Sequence, residues 1–208
     1  MKMMDSPSLT RQYNSKAQWM GYWYQISEAL EVSPDSVLVI GKGSGIIEDN
    51  IRHLSNEKTD VLTLDINYAV NSDIAGEVTS LPFGNDTFDV IICCQVLEHM
   101  PFEKFPLSLS ELHRVAKKRV VLSCPHGRKH IKVTFSLPFS KEKQLVLKSP
   151  FTNKYHKGKQ YYWEIGRGIS QKQVAGQISR LFDIEKNYLN EISCDHRFFV
   201  LKRKNIWK

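Results

Sequence analysis

The stretch at positions 36–45, SVLVIGKGSG, constrains the fold more than any other part of this sequence. Its first half is a short unbroken apolar run, which is typical of a parallel strand buried on both faces. Its second half places Gly41, Gly43 and Gly45 at alternate positions, where a sharp turn can bring the backbone close to a ligand. Apolar residues then recur at helical spacing across positions 46–54, so a helix would direct its unpaired N–H groups at the same place. The stretch therefore predicts a strand, a glycine turn and a helix around a binding crevice.

A second apolar run, VLTL, ends at Asp65, at the carboxyl end of the predicted second strand. A carboxylate in that position can accept hydrogen bonds from ribose hydroxyls. The spacing G-x-G-x-G differs from the G-x-G-x-x-G of dinucleotide-binding folds, because position 46 is isoleucine. The structural alternatives are a tight turn for the glycines and a helix cap for Asp65. Together the two features favour a ligand that carries a nucleoside.

Three separated motifs resemble the cofactor-binding half of the class I S-adenosylmethionine-dependent methyltransferases. They are VLVIGKGSG, TLDIN and GEVTSLPFGNDTFDVIICCQVLEHMP, which fall within residues 35–125. The resemblance implies a Rossmann-like α/β fold, in which a mostly parallel seven-stranded sheet has helices on both faces and an antiparallel last strand. It implies an enzyme that uses S-adenosylmethionine as methyl donor and releases S-adenosylhomocysteine.

The resemblance also implies roles for individual residues. In the family the glycine turn wraps the methionine end of the cofactor, the acid after the second strand holds the ribose, and an acid after the third strand contacts the adenine side. The third role falls on Glu77, where the family more often has aspartate. The backbone of Cys94, at the end of the fourth strand, would border the cofactor as well. The predicted cofactor-binding residues are Gly41, Lys42, Gly43, Ser44, Gly45, Asp65, Ile66, Glu77, Val78 and Cys94.

Position 39 departs from the family pattern. Val39 stands two residues before the first glycine, where the family usually has an aspartate or glutamate that organises the turn and the methionine ammonium. The substitution has three interpretations, which are weaker cofactor binding, a compensating residue elsewhere, and an inactive descendant that only binds. Catalysis is the favoured interpretation.

Two histidines are candidate catalytic bases. Methyl transfer from a sulfonium is an in-line displacement, so the protein mainly positions the acceptor, and a base helps when the acceptor is a hydroxyl or a protonated amine. His99 follows the predicted fourth strand and His126 the fifth, at the edge where open α/β sheets bind ligands. Each has a structural alternative, since His99 belongs to the LEH motif of the family and His126 can cap a turn. His156 is a third, weaker candidate.

The positive charge of the chain is concentrated in residues 126–168. The whole chain has a net charge of +7, and this segment alone has ten Lys and Arg side chains against two Glu, or +8. It also contains seven aromatic residues and shows no clear periodicity, which favours a lid over the acceptor site. Basic and aromatic side chains suit an acidic partner, such as a nucleic acid, a phosphorylated sugar or an anionic lipid. The alternative is a solvated basic face over a small aromatic cluster.

These features predict methyl transfer to an O or N atom of a possibly anionic small molecule, sugar or lipid-linked intermediate. RNA methylation is an alternative because of the basic segment. A cofactor-binding or interaction protein that has lost catalysis is another, because of Val39.

The length of 208 residues predicts a single domain. Its predicted parts are a leading helix (15–31), the cofactor-binding half (36–125), the lid (126–168), and a closing helix with a β-hairpin (169–208). Cysteines without metal-ligand spacing predict reduced thiols and no metal site. With no apolar leader and no membrane-spanning run, the predicted location is the cytoplasm.

Three local predictions concern single elements. Trp19 and Trp23 recur at helical spacing in the leading helix and are expected in the core. Ile74–Val78 is predicted as a weak third strand. Ser170 and Gln173 form a capping-box pattern at the start of the closing helix.

Overall fold

A computed structural model of the chain describes residues 15–135, 143–152, 161–192 and 194–205. Four α-helices occur among these residues: α1 (Lys16–Leu30), α2 (Ile46–Leu54), α3 (Phe105–Val115) and α4 (Gln171–Ile178). The strands are β1 (Ser36–Ile40), β2 (Asp60–Asp65), β3 (Ile74–Ala75), β4 (Phe88–Cys94), β5 (Ala116–Pro125), β6 (Arg128–Phe135), β7 (Lys143–Thr152), β8 (Glu164–Ile165), β9 (Gly168–Ile169), β10 (Phe182–Leu189) and β11 (His196–Arg203).

Seven strands form one sheet in the order β10-β11-β5-β4-β1-β2-β3. The five strands from β5 to β3 in this order pair in parallel, and β11 is antiparallel to both β5 and β10. The strand-helix alternation of the sequence requires parallel pairing of this kind, because each helix returns the chain to the same edge. The predicted Rossmann-like sheet with an antiparallel last strand is confirmed.

Helices cover both faces of the sheet, which explains why β1 and β4 are apolar on both sides. Side chains of α1 and α2 pack against alternate strand residues such as Val39 and Cys94 on one face, which we call the α1 face. Side chains of α3 and α4 pack on the opposite face, the α3 face, against residues such as Leu38 and Cys93. In the described part of the chain, no helix has the length and apolar character that crossing a membrane requires.

The leading helix turns a different face to the core than the sequence pattern predicts. Trp19 is 47% exposed and Trp23 is 59% exposed, so their assignment to the core is wrong. The buried face instead contains Tyr22 with the polar residues Gln25 and Glu28. These polar side chains are buried because they have partners. Glu28, for example, accepts hydrogen bonds from Lys186 Nζ at 2.8 Å and from Tyr188 Oη at 2.9 Å.

Two other local predictions need correction, and one is confirmed. The third strand is shorter than predicted and stops at Ala75, since Glu77 already pairs with Ser80 in a turn. The segment predicted to lack regular structure contains the antiparallel hairpin β6–β7. The capping box at the start of α4 is present, with hydrogen bonds in both directions between Ser170 and Gln173.

Arg119 on β5 fixes α1 to the sheet. Its buried guanidinium donates to Glu28 O in α1 at 2.9 Å and to Oε2 of Glu31, the C-cap residue of α1, at 2.6 Å. It also donates to Glu185 Oε2 on β10 at 2.9 Å. The hydrogen bonds of Arg119 and Lys186 lower the pKa of Glu31 to about 2. One side chain thus joins a helix and two strands.

We expect Arg119→Met to lower the free energy of unfolding by about 2–4 kcal/mol, because the carbonyl and carboxylates around it lose their cation. The matched control is Lys202→Met, at the exposed position directly opposite Arg119 on β11. The control should change stability by no more than about 0.5 kcal/mol. Urea unfolding followed by circular dichroism measures both, and equal effects of the two variants would contradict the role of Arg119.

Candidate functional site

A cleft of about 170 Å³ opens where the carboxyl ends of β1 and β4 meet α1. Its walls come from the glycine turn after β1, the loop at the end of β4, the inner side of α1 and Tyr161 of the basic segment 126–168. The lining residues are Gln18, Tyr22, Gln25, Gly41, Lys42, Gly43, Ser44, Ile47, Cys94, Gln95, His99 and Tyr161. Five of the predicted cofactor-binding residues therefore meet in one cleft: Gly41, Lys42, Gly43, Ser44 and Cys94.

The glycine turn forms a cradle that side chains would fill. Gly41 has φ of +83°, and a Cβ there would lie 2.5 Å from Cγ2 of Val96 in the loop after β4. Gly43 has φ of +58°, and a Cβ there would meet nothing within 4 Å, because the position faces open space. Gly45 does not line the cleft and forms the N-cap of α2. Gly41 thus packs closely on Val96, and the backbone at Gly43 is open to a ligand that approaches closely.

Asp65 connects the end of β2 to this turn. Its Oδ2 accepts a hydrogen bond from Lys42 N at 3.0 Å, and its Oδ1 accepts one from Asn67 N at 2.8 Å. The short 3-10 helix Tyr68–Val70 is capped by the side chain of Asn67, so the helix-cap alternative for Asp65 does not apply. The next residue, Ile66, is 70% exposed and offers an apolar surface beside the carboxylate.

The predicted adenine-side residues lie apart from the cleft lining. Glu77 forms an ion pair with Lys104 Nζ at 3.1 Å, and this hydrogen bond lowers the pKa of its carboxyl. Val78 is buried in the core on the α3 face, so its side chain is not available to a ligand. The cofactor roles of Glu77 and Val78 therefore stay predictions.

A buried acid is present beside the turn even though Val39 is apolar. Glu48, in the first turn of α2, is 2% exposed and lies 3.5 Å from Lys42 Nζ. The same ammonium donates to Asn71 O at 2.7 Å. Among the described residues, no group donates a hydrogen bond to the Glu48 carboxylate. The charge of an acid in the first turn is favourable at a helix N-terminus. The acid that Val39 lacks on β1 thus has a counterpart on α2.

The two candidate histidines occupy different places. His99 lines the cleft, and its ring centroid is 5.4 Å from that of Tyr161. His126 is buried beyond the end of β5, where its backbone N–H donates to Asp195 O at 2.7 Å. It does not line the cleft. The third candidate, His156, lies outside the described residues. Burial raises the pKa of the Cys94 thiol to about 12, so this cleft residue is a thiol and not a nucleophilic thiolate.

A family profile described as a methyltransferase domain matches residues 38–124, which contain the glycine turn, Asp65 and β4. Residues 38–124 form a class I methyltransferase domain. The predictions of an S-adenosylmethionine-dependent methyltransferase and of S-adenosylmethionine as its cofactor are confirmed. The residues present fit this cofactor, since the glycine cradle admits a close ligand and Asp65 offers a carboxylate beside it.

Solved methyltransferase structures share the fold of this methyltransferase. The N-methyltransferase NodS from Bradyrhizobium japonicum WM9, in complex with S-adenosylhomocysteine, superposes with a TM-score of 0.62 at 8% identity, over 96% of this chain and 93% of that chain. Magnesium protoporphyrin IX methyltransferase from Synechocystis PCC 6803, also with bound S-adenosylhomocysteine, gives 0.56 at 13% identity, over 94% of this chain and 93% of that chain. No curated protein matches the chain by sequence.

Two residues of the methyltransferase cleft, Gln18 and Gln25, were not predicted from the sequence. Gln18, Tyr22 and Gln25 recur at helical spacing and form the α1 wall, a pattern that the exposed tryptophans obscured. Gln95 has φ of +58°, and such left-handed backbone in a residue other than glycine is often found at functional sites. Tyr161 belongs to the predicted lid, a stretch without periodicity.

Glu98 is another buried acid, and it follows β4 in the short 3-10 helix Leu97–His99. It is 0% exposed, and no described residue donates a hydrogen bond to its carboxyl oxygens. Burial raises its pKa to about 7. In the sequence, Glu98 is recognisable only as a member of the LEH motif of the family.

We expect Gly41→Ala to destabilise the methyltransferase more than Gly43→Ala. Both substitutions force alanine into left-handed backbone, at a cost of about 1–2 kcal/mol. Only the Cβ at position 41 also collides with Val96, which adds about 1–3 kcal/mol. Thermal unfolding of the two variants checks the difference, and equal stability would contradict the close packing of Gly41 on Val96.

We expect Glu98→Gln to remove a pH dependence of stability. The pKa of Glu98 is about 7 in the folded protein against 4.5 for the free group, so the folded state holds an extra proton between these values. Stability therefore falls as pH rises from about 4.5 to about 7 in the parent protein. The variant should be more stable at pH 8 by about 3 kcal/mol and equally stable at pH 4.

The measurement is urea unfolding of parent and variant across this pH range. Glu103→Gln serves as the control, because Glu103 is an exposed carboxyl on the following turn. A stability difference between parent and Glu98→Gln that does not change with pH would show that burial does not raise the pKa of Glu98.

Proposed function

We propose that this methyltransferase transfers the methyl group of S-adenosylmethionine to an O or N atom of a small acceptor that enters the cleft opposite the glycine turn. The observation that carries the proposal is the composition of the cleft. One wall is the glycine turn, and the other consists of Tyr22, His99 and Tyr161, which can hold an acceptor. Methyl transfer needs such a pair of facing walls, because the acceptor atom must lie in line with the bond that breaks.

His99 is the better placed of the two predicted bases. Its ring lines the cleft beside Tyr161, whereas His126 is buried at the end of β5. A general base must come within hydrogen-bond distance of the acceptor, directly or through one water. This placement supports His99 as a residue that contacts the acceptor.

We further propose that the segment 126–168 covers the acceptor and binds an anionic part of it. Both ends of the segment lie at the cleft edge of the sheet. At its start, Gly127 N donates to Ile165 O at 2.9 Å, and towards its end Tyr162 N donates to Glu98 O at 2.8 Å. Its sequence charge of +8 supports an anionic partner.

RNA is the second candidate acceptor, because the same basic segment could follow a phosphate backbone. Affinity for RNA would fall steeply as salt increases, since bound phosphates release counterions. Titration of the protein with a mixed-sequence single-stranded RNA at low and high salt separates the candidates. Absent or salt-insensitive binding would exclude RNA and favour a small acceptor.

We expect the intact protein to bind S-adenosylhomocysteine at about micromolar concentration, which corresponds to about −8 kcal/mol. Asp65→Ala should weaken this binding by about 10-fold to 100-fold, because hydrogen bonds to a charged carboxylate contribute about 1.5–3 kcal/mol. Isothermal titration calorimetry measures both values. Asp65→Asn keeps the shape of the side chain and should have a smaller effect.

The control for this experiment is Asp60→Ala, at the exposed opposite end of the same strand, β2. It should bind S-adenosylhomocysteine like the parent protein. Absence of binding by the parent protein would support the alternative that Val39 marks a lost cofactor site. Binding without turnover on any acceptor would support a binding protein that lost catalysis.

A further inference from the structure

Three buried polar groups without a hydrogen bond of good geometry lie at the carboxyl edge of the sheet. They are the carboxyl oxygens of Glu98, Oγ of Ser123 and Nε2 of His196, and none of them has a hydrogen bond of good geometry to another described residue, although Ser123 Oγ interacts with the Cys94 thiol. A buried polar atom without a partner costs about 1–3 kcal/mol, so such atoms are uncommon in folded proteins. Three of them from three different segments indicate a place that a ligand or ordered water fills. We call these three residues the polar chamber.

The strand register brings the polar chamber together. Ser123 on β5 lies opposite Cys94 on β4 and opposite Phe198 on β11. His196 is two residues from Phe198 and therefore points to the same face as Ser123. Cys94, Ser123 and His196 thus form a diagonal row across three neighbouring strands on the α1 face, which is the face of the cleft.

Glu98 lies in the 3-10 helix Leu97–His99 that follows β4. Its charge interacts with Cys94, with Cys124 of β5 and with the ring of His196. The other ring nitrogen of His196, Nδ1, lies 3.1 Å from Asp195 Oδ1, which orients the ring. The chamber therefore presents a carboxyl group, a hydroxyl and an oriented imidazole nitrogen.

The polar chamber adjoins the cleft through Cys94. Cys94 lines the cleft, and its register partner Ser123 belongs to the chamber. His99, the residue after Glu98, also lines the cleft. Tyr162 N donates to Glu98 O, so the segment after the basic hairpin lies against the chamber. The three residues of the polar chamber do not line the cleft themselves, and Cys94 and His99 are the cleft residues next to them in register and in sequence.

We propose that the polar chamber binds the amino group of the acceptor, so that the proposed methyl transfer is made to an amine nitrogen. This inference rests on the proposed function and narrows its acceptor from an O or N atom to an amine. The chamber contains a carboxyl group and no Lys or Arg among its three residues, so it favours a cation that donates hydrogen bonds over an anion. Any anionic part of the acceptor would lie elsewhere, towards the basic segment.

The chamber also provides the proton acceptor that the reaction needs. The amine enters as an ammonium ion, and one of its protons passes to the Glu98 carboxylate, which leaves a free electron pair on nitrogen. The N–C bond then forms as the S–C bond of the methyl donor breaks, and the electron pair of that bond stays on sulfur. The proton on Glu98 finally passes to water. Burial favours this transfer, because it raises the proton affinity of the carboxylate.

The test uses benzylamine and benzyl alcohol as a matched pair of probes, because the cleft has the aromatic walls Tyr22 and Tyr161. Each probe is titrated by calorimetry into the protein saturated with S-adenosylhomocysteine. We expect benzylamine to bind the parent protein and to bind Glu98→Gln about 10-fold to 100-fold more weakly, because a charge-assisted hydrogen bond is lost. Benzyl alcohol should bind both proteins alike.

A second measurement reports the protonation state of the Glu98 carboxyl group. Infrared difference spectra at pH 6 should show the carbonyl stretch of protonated Glu98, and benzylamine should abolish it by pairing with the carboxylate. Glu98→Gln should lack the band, and Glu103→Gln, which changes an exposed carboxyl nearby, should keep it. A parent protein that binds neither probe, or binds benzylamine no more weakly after Glu98→Gln, would overturn the proposal.

The same experiment distinguishes a failure of the proposed function from a failure of the amine assignment alone. If S-adenosylhomocysteine does not bind the parent protein, the proposed function itself fails. If it binds the parent and Glu98→Gln equally, but benzylamine binding does not depend on Glu98, only the amine assignment fails. A preference for benzyl alcohol over benzylamine would assign the chamber to a hydroxyl acceptor instead.

Discussion

The burial of β1 on both faces and along both edges is the constraint on which the rest of the structure depends. With β2 on one side and β4 on the other, β1 has no exposed polar group along its length. Its free polar groups therefore lie at its two ends, and the carboxyl end is the one that meets the glycine turn. There the ladder continues into the turn, because Gly41 N donates to Leu64 O at 2.8 Å. This hydrogen bond holds the glycine turn beside Asp65 and so builds the cofactor side of the cleft.

Features that follow from strand burial could be predicted from the sequence. Apolar runs identify β1, β2 and β4 directly, whereas the antiparallel direction of the last strand, β11, was implied by the family resemblance. Asp65 was found because the carboxyl end of a parallel strand is where such folds bind ligands. The glycine turn was recognisable because closely spaced glycines after a buried strand have few structural uses. These are local signals, and each can be interpreted within about ten residues.

Features that depend on contacts between distant residues could not be predicted. The buried face of α1 contains Gln25 and Glu28, which look exposed in the sequence and are buried because Lys186 and Tyr188 lie opposite. Glu98 looked like part of a motif, and its burial depends on β5, β11 and the segment at Tyr162. The periodicity of apolar residues within one helix or strand does not reveal contacts between side chains that are distant in the sequence. The acceptor side of the cleft is made almost entirely of contacts of this kind.

The way in which α1 is attached has a consequence for how such an enzyme changes its substrate during evolution. The helix contributes the Tyr22 wall of the cleft, and polar contacts at both ends hold it. Arg119 contacts its C-terminal end, and Asn190 Nδ2 donates to Ala17 O at 2.9 Å near its start. The side chains of α1 that face the cleft can be exchanged while these two anchors and Asp65 stay unchanged. Acceptor preference can therefore diverge among descendants while the part that holds the methyl donor stays the same.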